Sequence, residues 1–89
     1  MKLRLFTLPN CPRCPEAKRI VTEVSRTRRD ITVEILDMSS PENLTTALML
    51  QIASTPSICL DEEVVAVGDI PSLERLNTLI DQHKAISQP

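Results

Sequence analysis

The sequence has few of the residues that build large or heavily cross-linked cores. Its 89 residues include one aromatic residue, Phe6, together with three cysteines and one glycine. Three cysteines are too few for a disulfide scaffold, and without tryptophan and tyrosine the core must be built from aliphatic side chains. A chain of this length supports one domain with a modest core. We therefore expect a single domain with an aliphatic core.

The chain also lacks a basic excess and a long hydrophobic run. Ten Lys and Arg against twelve Asp and Glu give a formal net charge of −2, whereas a phosphate-binding domain normally carries a basic excess. No apolar run approaches the ~18 residues of a membrane span. The N-terminal segment, with charges at Lys2 and Arg4, does not have the pattern of a signal peptide. We expect a cytoplasmic protein that binds neither nucleic acid nor a membrane.

Hydrophobic periodicity predicts a βαβ unit in the first half of the chain. Segments 2–8 and 31–35 have the composition and alternation of strands, and apolar residues recur at helical spacing over 12–29. Two strands joined by a helix must be parallel, with a right-handed crossover.

The second half predicts a helix, a hairpin and a final helix. Ser40-Pro41 marks a helix start, because proline is favoured at the first helical position. The inner face of this helix is predicted to comprise Leu44, Ala47, Leu48 and Ile52. Segments 56–60 and 64–67 flank a short polar turn, which requires antiparallel strands. Pro71 opens the last helix. We expect one domain over 1–84, with residues 85–89 as a frayed tail.

A Cys-x-x-Cys motif follows the first strand. Cys11 and Cys14 flank Pro12-Arg13 where the first helix is predicted to begin. The first turn of a helix offers unpaired N–H groups and the positive end of the dipole, which stabilise a thiolate. We expect both sulfurs in that turn, Cys11 as the nucleophile and Cys14, one turn inward and shielded, as the resolving cysteine. Pro12 favours a rigid turn. Arg13 either favours a thiolate or a substrate carboxylate, or is a solvated surface residue.

Alternatively, the two cysteines of this motif supply two of the four ligands of a metal site. Zinc needs two further ligands nearby, and Cys59 and His83 are the only other soft candidates. Cys59 is predicted mid-strand as a small buried apolar residue, and His83 on the exposed flank of the last helix. We therefore expect no metal and no cofactor beyond the cysteine pair itself. A binding module that holds a metal or an iron–sulfur cluster, or acts as a redox switch, remains the alternative function.

The element order, the motif from Cys11 to Cys14 and the Thr55-Pro56 pair before the third strand resemble the thioredoxin and glutaredoxin superfamily over nearly the whole chain. The chain looks most similar to the small archaeal and bacterial glutaredoxin-like thioredoxins. This resemblance implies an α/β fold of order β-α-β-α-β-β-α, with a four-stranded mixed sheet flanked by three helices. It also implies a cis bond before Pro56, close to the sulfurs, with Thr55 offering backbone groups to an extended substrate.

The activity implied by the resemblance is thiol–disulfide exchange by a monomer. The clients would be proteins with disulfides, and a reductase or a small thiol would recharge the cysteine pair. Gly68 and Asp69, after the hairpin, are the candidate substrate-binding residues. Where thioredoxins carry a buried aspartate, a candidate proton acceptor, the chain has Leu5. Glutathione-binding glutaredoxins have a basic residue three positions before the first cysteine and a Gly-Gly after the hairpin, whereas this chain has Leu8 and the single Gly68-Asp69. Exchange with protein dithiols is therefore expected rather than use of glutathione.

Overall fold

The computed structural model describes residues 1–87 and contains four strands and three helices in the predicted order. The elements are β1 (Lys2–Thr7), α1 (Cys14–Thr27), β2 (Thr32–Asp37), α2 (Pro41–Met49), β3 (Ser57–Leu60), β4 (Glu63–Val67) and α3 (Leu73–Ser87). The four strands form one sheet in the order β2-β1-β3-β4. β1 pairs parallel with β2 and antiparallel with β3, and β3 pairs antiparallel with β4. The predicted mixed sheet is confirmed.

Strand β1 lies in the middle of the sheet and determines where the cysteine motif lies. Phe6, near the end of β1, is paired with Ser57 at the start of β3. The loop that leaves β1 therefore emerges beside the segment that enters β3. This register brings Cys11 and Pro56 to the same end of the sheet, where β1 ends and β3 begins, although they are far apart in sequence.

The core is aliphatic, as predicted, and consists of two clusters. The larger cluster joins the sheet to α1 and α3; it contains Leu3, Leu5, Ala17, Ile20, Val21, Val24, Ile31, Ile58, Leu60, Leu76 and Ile80. The smaller cluster lies on the α2 side and contains Phe6, Met38, Ala47, Ile52 and Cys59. Because apolar burial is the main favourable term in folding, the face with α1 and α3 supplies most of the stability.

The predicted inner face of α2 is partly wrong. Ala47 and Ile52 are buried, but Leu44 and Leu48 are 40% and 63% exposed. Within α2 only Ala47 is buried, so this short helix contacts the sheet along a narrow line. Leu44 and Leu48 are four residues apart, so they lie together on one side of that line, on a part of α2 that is rotated towards solvent.

The last helix continues beyond the predicted boundary at residue 84. α3 reaches Ser87, and residues 88–89 lie outside the described part of the chain, so the expected fraying of residues 85–89 stays a prediction. The ammonium group of Lys84 contacts the carboxylate of Asp30 and anchors the last turn. A cation in the last turn also complements the helix dipole.

Arg28 and Lys84 connect the end of α1 to α3 through Asp30. The Arg28 Nη2 atom lies 3.1 Å from Asp30 and 2.8 Å from Asp81 of α3. Hydrogen bonds from Arg28, and next from Lys84, hold the pKa of Asp30 well below its ordinary value. The folded state therefore favours the ionised carboxylate of Asp30.

This shift predicts that Asp30 contributes to the pH dependence of stability. Its contribution is present above the unfolded pKa, close to 3.8, and is lost as the pH falls towards the lower folded pKa. Asp30→Asn should therefore lower the free energy of unfolding at neutral pH and flatten its decline below about pH 4. Urea unfolding at a series of pH values measures both effects. Glu62→Gln, in the exposed hairpin turn, is the control. An unchanged acid limb in Asp30→Asn would contradict this assignment.

Candidate functional site

Cys11, in the loop after β1, forms a disulfide with Cys14, the first residue of α1, and their Cα atoms lie 5.4 Å apart. The loop is held by backbone hydrogen bonds: Cys11 N–H donates to the carbonyl of Leu8 (3.2 Å), and Cys14 N–H donates to the carbonyl of Cys11 (3.4 Å). Cys11 is partly exposed, whereas Cys14 is only 2% exposed. The pair therefore has one accessible sulfur and one shielded sulfur.

Helix α1 begins at Cys14 with Arg13 as its N-cap, two residues later than predicted. Cys11 thus precedes the helix, and the expectation that both sulfurs lie in its first turn is wrong for Cys11. The reason is Pro15, which has no N–H to donate to the carbonyl of Cys11. The first hydrogen bond of the helical pattern is therefore made by the Ala17 N–H, which donates to the carbonyl of Arg13 at 3.2 Å. Only Cys14 lies in the helical turn, and Cys11 lies just ahead of it.

The Thr55–Pro56 bond is cis, as the resemblance implied. Pro56 is buried and Thr55 is partly exposed, at the entry to β3. The hydroxyl of Ser57 donates to the carbonyl of Ser54 at 2.6 Å and accepts from the Gly68 N–H at 3.4 Å. This serine therefore joins the segment before β3 to the end of β4.

Gly68 packs closely against Ser54. It has a φ of +68°, and a Cβ atom added to it would lie 3.3 Å from the Ser54 Cβ. Asp69, the next residue, forms an ion pair with Arg13, whose Nη2 atom lies 3.3 Å from the carboxylate. The segment Gly68-Asp69 thus contacts both the cysteine motif and the loop before β3. Arg13 and Asp69 were each predicted as candidate site residues, but no spacing in the sequence indicated the ion pair between them.

A cavity of about 260 Å³ adjoins the disulfide. It is lined by Thr7, Leu8, Pro9, Cys11, Cys14, Pro15, Lys18 and Asp37. Hydrogen bonds from the Ser39 backbone and hydroxyl lower the pKa of Asp37, and the charge of Lys18 adds to this effect. The sequence analysis missed both charged residues. Helical spacing identifies Lys18, four residues after Cys14, but Asp37 comes from a different strand. A larger depression, of about 430 Å³, lies beside Lys2 and Arg4, away from the cysteines.

The two other candidate ligands lie elsewhere. Cys59 is fully buried in β3, as predicted, and burial raises the pKa of its thiol. His83 is not on an exposed flank: its side chain is 10% exposed, with Nδ1 2.9 Å from Glu63 and Nε2 3.1 Å from Asp61. The prediction failed because α3 packs against the hairpin turn. Within residues 1–87, no group of three or more His, Cys, Asp or Glu side chains is placed to hold a metal ion.

The mixed sheet with a disulfide directly after its central strand defines a thioredoxin-like protein. A model of the thioredoxin domain matches residues 1–81, and the chain therefore belongs to the thioredoxin family. It is 38% identical over 76 residues to a thioredoxin of Methanocaldococcus jannaschii, covering 85% of this chain and 87% of that protein. It is 29% identical over 82 residues to a probable thioredoxin of Archaeoglobus fulgidus, covering 92% and 88% of the two chains.

Solved structures support the fold independently of sequence identity. Thioredoxin 1 of Thermosipho africanus superposes with a TM-score of 0.72 at 19% identity, covering 98% of each chain. These similarities confirm the predicted fold and the resemblance to small archaeal thioredoxins. None of the helices in the described part of the chain has the length and apolar character needed to cross a membrane.

The burial of Cys59 predicts a large difference in reactivity among the cysteines. In the reduced native protein, iodoacetamide should label Cys11 first and Cys59 roughly tenfold or more slowly, because alkylation needs an accessible thiolate. Mass mapping of peptides over time measures each rate. Denaturant should remove the protection of Cys59. Labelling of Cys59 as fast as Cys11 under native conditions would contradict its placement.

The positive φ and close contact at Gly68 predict that Gly68→Ala destabilises the protein. An alanine in this conformation costs about 1–2 kcal/mol, and its Cβ would also press on Ser54. Urea unfolding of Gly68→Ala, Ser54→Gly and the double variant separates the cost of the positive φ from the cost of the contact with Ser54. This double-mutant cycle measures the coupling between the two positions, to which only the contact contributes. We expect Gly68→Ala to cost less in the Ser54→Gly background. Equal costs in both backgrounds would show that the Ser54 contact contributes nothing.

Proposed function

We propose that the protein is a thiol–disulfide oxidoreductase that reduces disulfides in client proteins. The observation that carries this proposal is the unequal exposure of the two sulfurs in a motif held directly after the central strand of a thioredoxin-family fold. An accessible Cys11 and a Cys14 that is 2% exposed suit a nucleophile and a resolving group. A shielded thiol cannot easily attack a large client, but it can attack its own neighbour.

The proposed reaction moves two electrons from the cysteine pair to the client. The Cys11 thiolate attacks one sulfur of the client disulfide, the client S–S bond breaks, and the first client thiolate leaves and takes up a proton. Cys14 then loses its proton and attacks the Cys11 sulfur. The second client thiolate leaves, so the client is reduced and the Cys11–Cys14 disulfide is formed. A reductase or a small thiol then supplies two electrons that reduce the Cys11–Cys14 disulfide again.

Charges around the motif support these roles. Lys18 follows Cys14 by four residues, which places it on the same face of α1, and both line the cavity beside the disulfide. A nearby cation favours a thiolate, so Lys18 assists ionisation of Cys14 in the resolving step. The N-terminal end of α1 acts in the same direction, since its N–H groups and dipole favour negative charge.

We assign the client segment to the edge of the sheet where Thr55-Pro56 and the cysteine loop emerge together. Partly exposed Thr55 would pair with an extended client backbone, and buried Pro56 would fix that segment. Pro12 stiffens the turn between the sulfurs. A monomer in the cytoplasm, with protein clients and a reductase or small thiol as donor, remains our expectation from the sequence.

The division of roles predicts different outcomes for the two serine substitutions. Cys14→Ser keeps the nucleophile but cannot release the client, so a covalent complex should accumulate and dissolve only when an external thiol is added. Cys11→Ser should trap nothing and lose at least ~100-fold in turnover, since the attacking thiolate is absent. Insulin reduction with dithiothreitol, with non-reducing gels for the trapped species, measures both.

The matched control is Cys59→Ala, which removes the remaining cysteine from the core and should retain turnover. Trapping by Cys11→Ser instead of Cys14→Ser would reverse the assigned roles. The competing function, a binding module for a metal or an iron–sulfur cluster, predicts a different result. In that case the purified protein would carry stoichiometric metal that both serine variants lose, and insulin reduction would not proceed.

A further inference from the structure

We infer that the Arg13–Asp69 ion pair selects client disulfides by charge, favouring those with an acidic residue next to the attacked cysteine. This inference rests on the proposed function, and it names the class of client that the site takes.

The ion pair connects two segments that approach the motif from different directions. Arg13 lies between the two cysteines, in the turn that carries the accessible sulfur of Cys11. Asp69 follows Gly68 at the end of β4, and Gly68 packs against Ser54 in the loop before β3. The Arg13 Nη2 atom lies 3.3 Å from the Asp69 carboxylate. The pair therefore lies across the surface that a client must approach to reach Cys11.

The Arg13–Asp69 pair is exposed enough to exchange partners. The side chains of Arg13 and Asp69 are 54% and 73% exposed, whereas Arg28, which joins α1 to α3, is 18% exposed and hydrogen-bonded to Asn77, Asp30 and Asp81. Exposed ion pairs contribute little to stability, because both groups are well solvated and the held side chains lose entropy. A carboxylate from a client can therefore replace Asp69 on Arg13 without disrupting the fold.

Exchange of partners favours an acidic client because Arg13, the cation of the pair, lies only two residues from Cys11 in the sequence, whereas Asp69 lies on a different segment. During attack, a client sulfur is bonded to Cys11, so the residue next to the client cysteine lies close to the turn that holds Arg13. A guanidinium also binds a carboxylate through two parallel hydrogen bonds. Lys18 adds a second cation beside the cysteines, in a cavity that also contains Asp37. A basic residue at this client position would meet Arg13 instead and be repelled.

The test uses three disulfide peptides that are identical except for Asp, Asn or Lys next to one cysteine. We measure kcat/KM for reduction of each peptide at low and high ionic strength. The wild-type protein should reduce the Asp peptide about fivefold faster than the Asn peptide, the upper range for an exposed charge pair. The Lys peptide should be slowest. Added salt should reduce these differences, because the charges are exposed.

Two variants assign the selectivity to the pair. Arg13→Gln should bring the Asp-to-Asn ratio close to one. Asp69→Asn should increase that ratio above the wild-type value, because it removes the internal competitor for Arg13. Arg26→Gln is the matched control: Arg26 is an exposed arginine paired with Glu23 at 3.6 Å near the far end of α1. Arg26→Gln removes one positive charge, as Arg13→Gln does, and should leave the Asp-to-Asn ratio unchanged.

The outcomes separate this inference from the proposed function. If the wild-type protein reduces none of the peptides and does not reduce insulin, the proposed function is wrong. If it reduces all three peptides at equal rates, or prefers the Lys peptide, the function stands and the charge selection is overturned. The charge selection is also overturned if Arg13→Gln and Asp69→Asn leave the Asp-to-Asn ratio unchanged. It is overturned as well if Arg26→Gln changes this ratio as much as they do.

Discussion

The pairing of β1 with both β2 and β3 is the constraint on which the rest of the structure depends. Its parallel partner requires the crossover helix α1, and its antiparallel partner brings the start of β3 next to the end of β1. Because β1 is central, Leu3, Leu5 and Phe6 are completely buried between the two helical layers. The loop that carries Cys11 is therefore attached to an interior strand whose apolar side chains are completely buried. A reactive group on a short loop needs such support to keep its geometry during exchange.

Periodicity and motif spacing predicted those features of the fold that depend on local sequence. Element order, the position of α1 on the chain and the buried Cys59 all follow from short windows. Predictions failed where packing between distant segments decided the outcome. Leu44 and Leu48 have helical spacing but α2 contacts the sheet mainly through Ala47, and His83 has no local signal for its contacts with the hairpin turn. Tertiary context overrides local pattern in such cases.

In the candidate site, too, features that depend on local sequence were predicted and those that depend on contacts between distant segments were not. Both cysteines could be predicted from their spacing and from the strand before them, and the cis bond before Pro56 followed from a family resemblance. Lys18 was predictable in principle from its helical spacing to Cys14. The Arg13–Asp69 pair was not, because its members are brought together by the hairpin register and by the close packing of Gly68 against Ser54. Charge patterns across such distances in sequence carry no signal in a single chain.

The late start of α1 gives the two cysteines different environments although they are only three residues apart. Pro15 cannot donate a hydrogen bond to the carbonyl of Cys11, so the helix begins at Cys14 and leaves Cys11 in the preceding turn. Cys14 is then enclosed by the core beneath α1, while Cys11 remains partly open to solvent. Exposure determines which sulfur a macromolecular disulfide can reach. Pro15 therefore contributes to the unequal exposure on which the proposed order of the two steps rests, although its side chain takes no part in the chemistry.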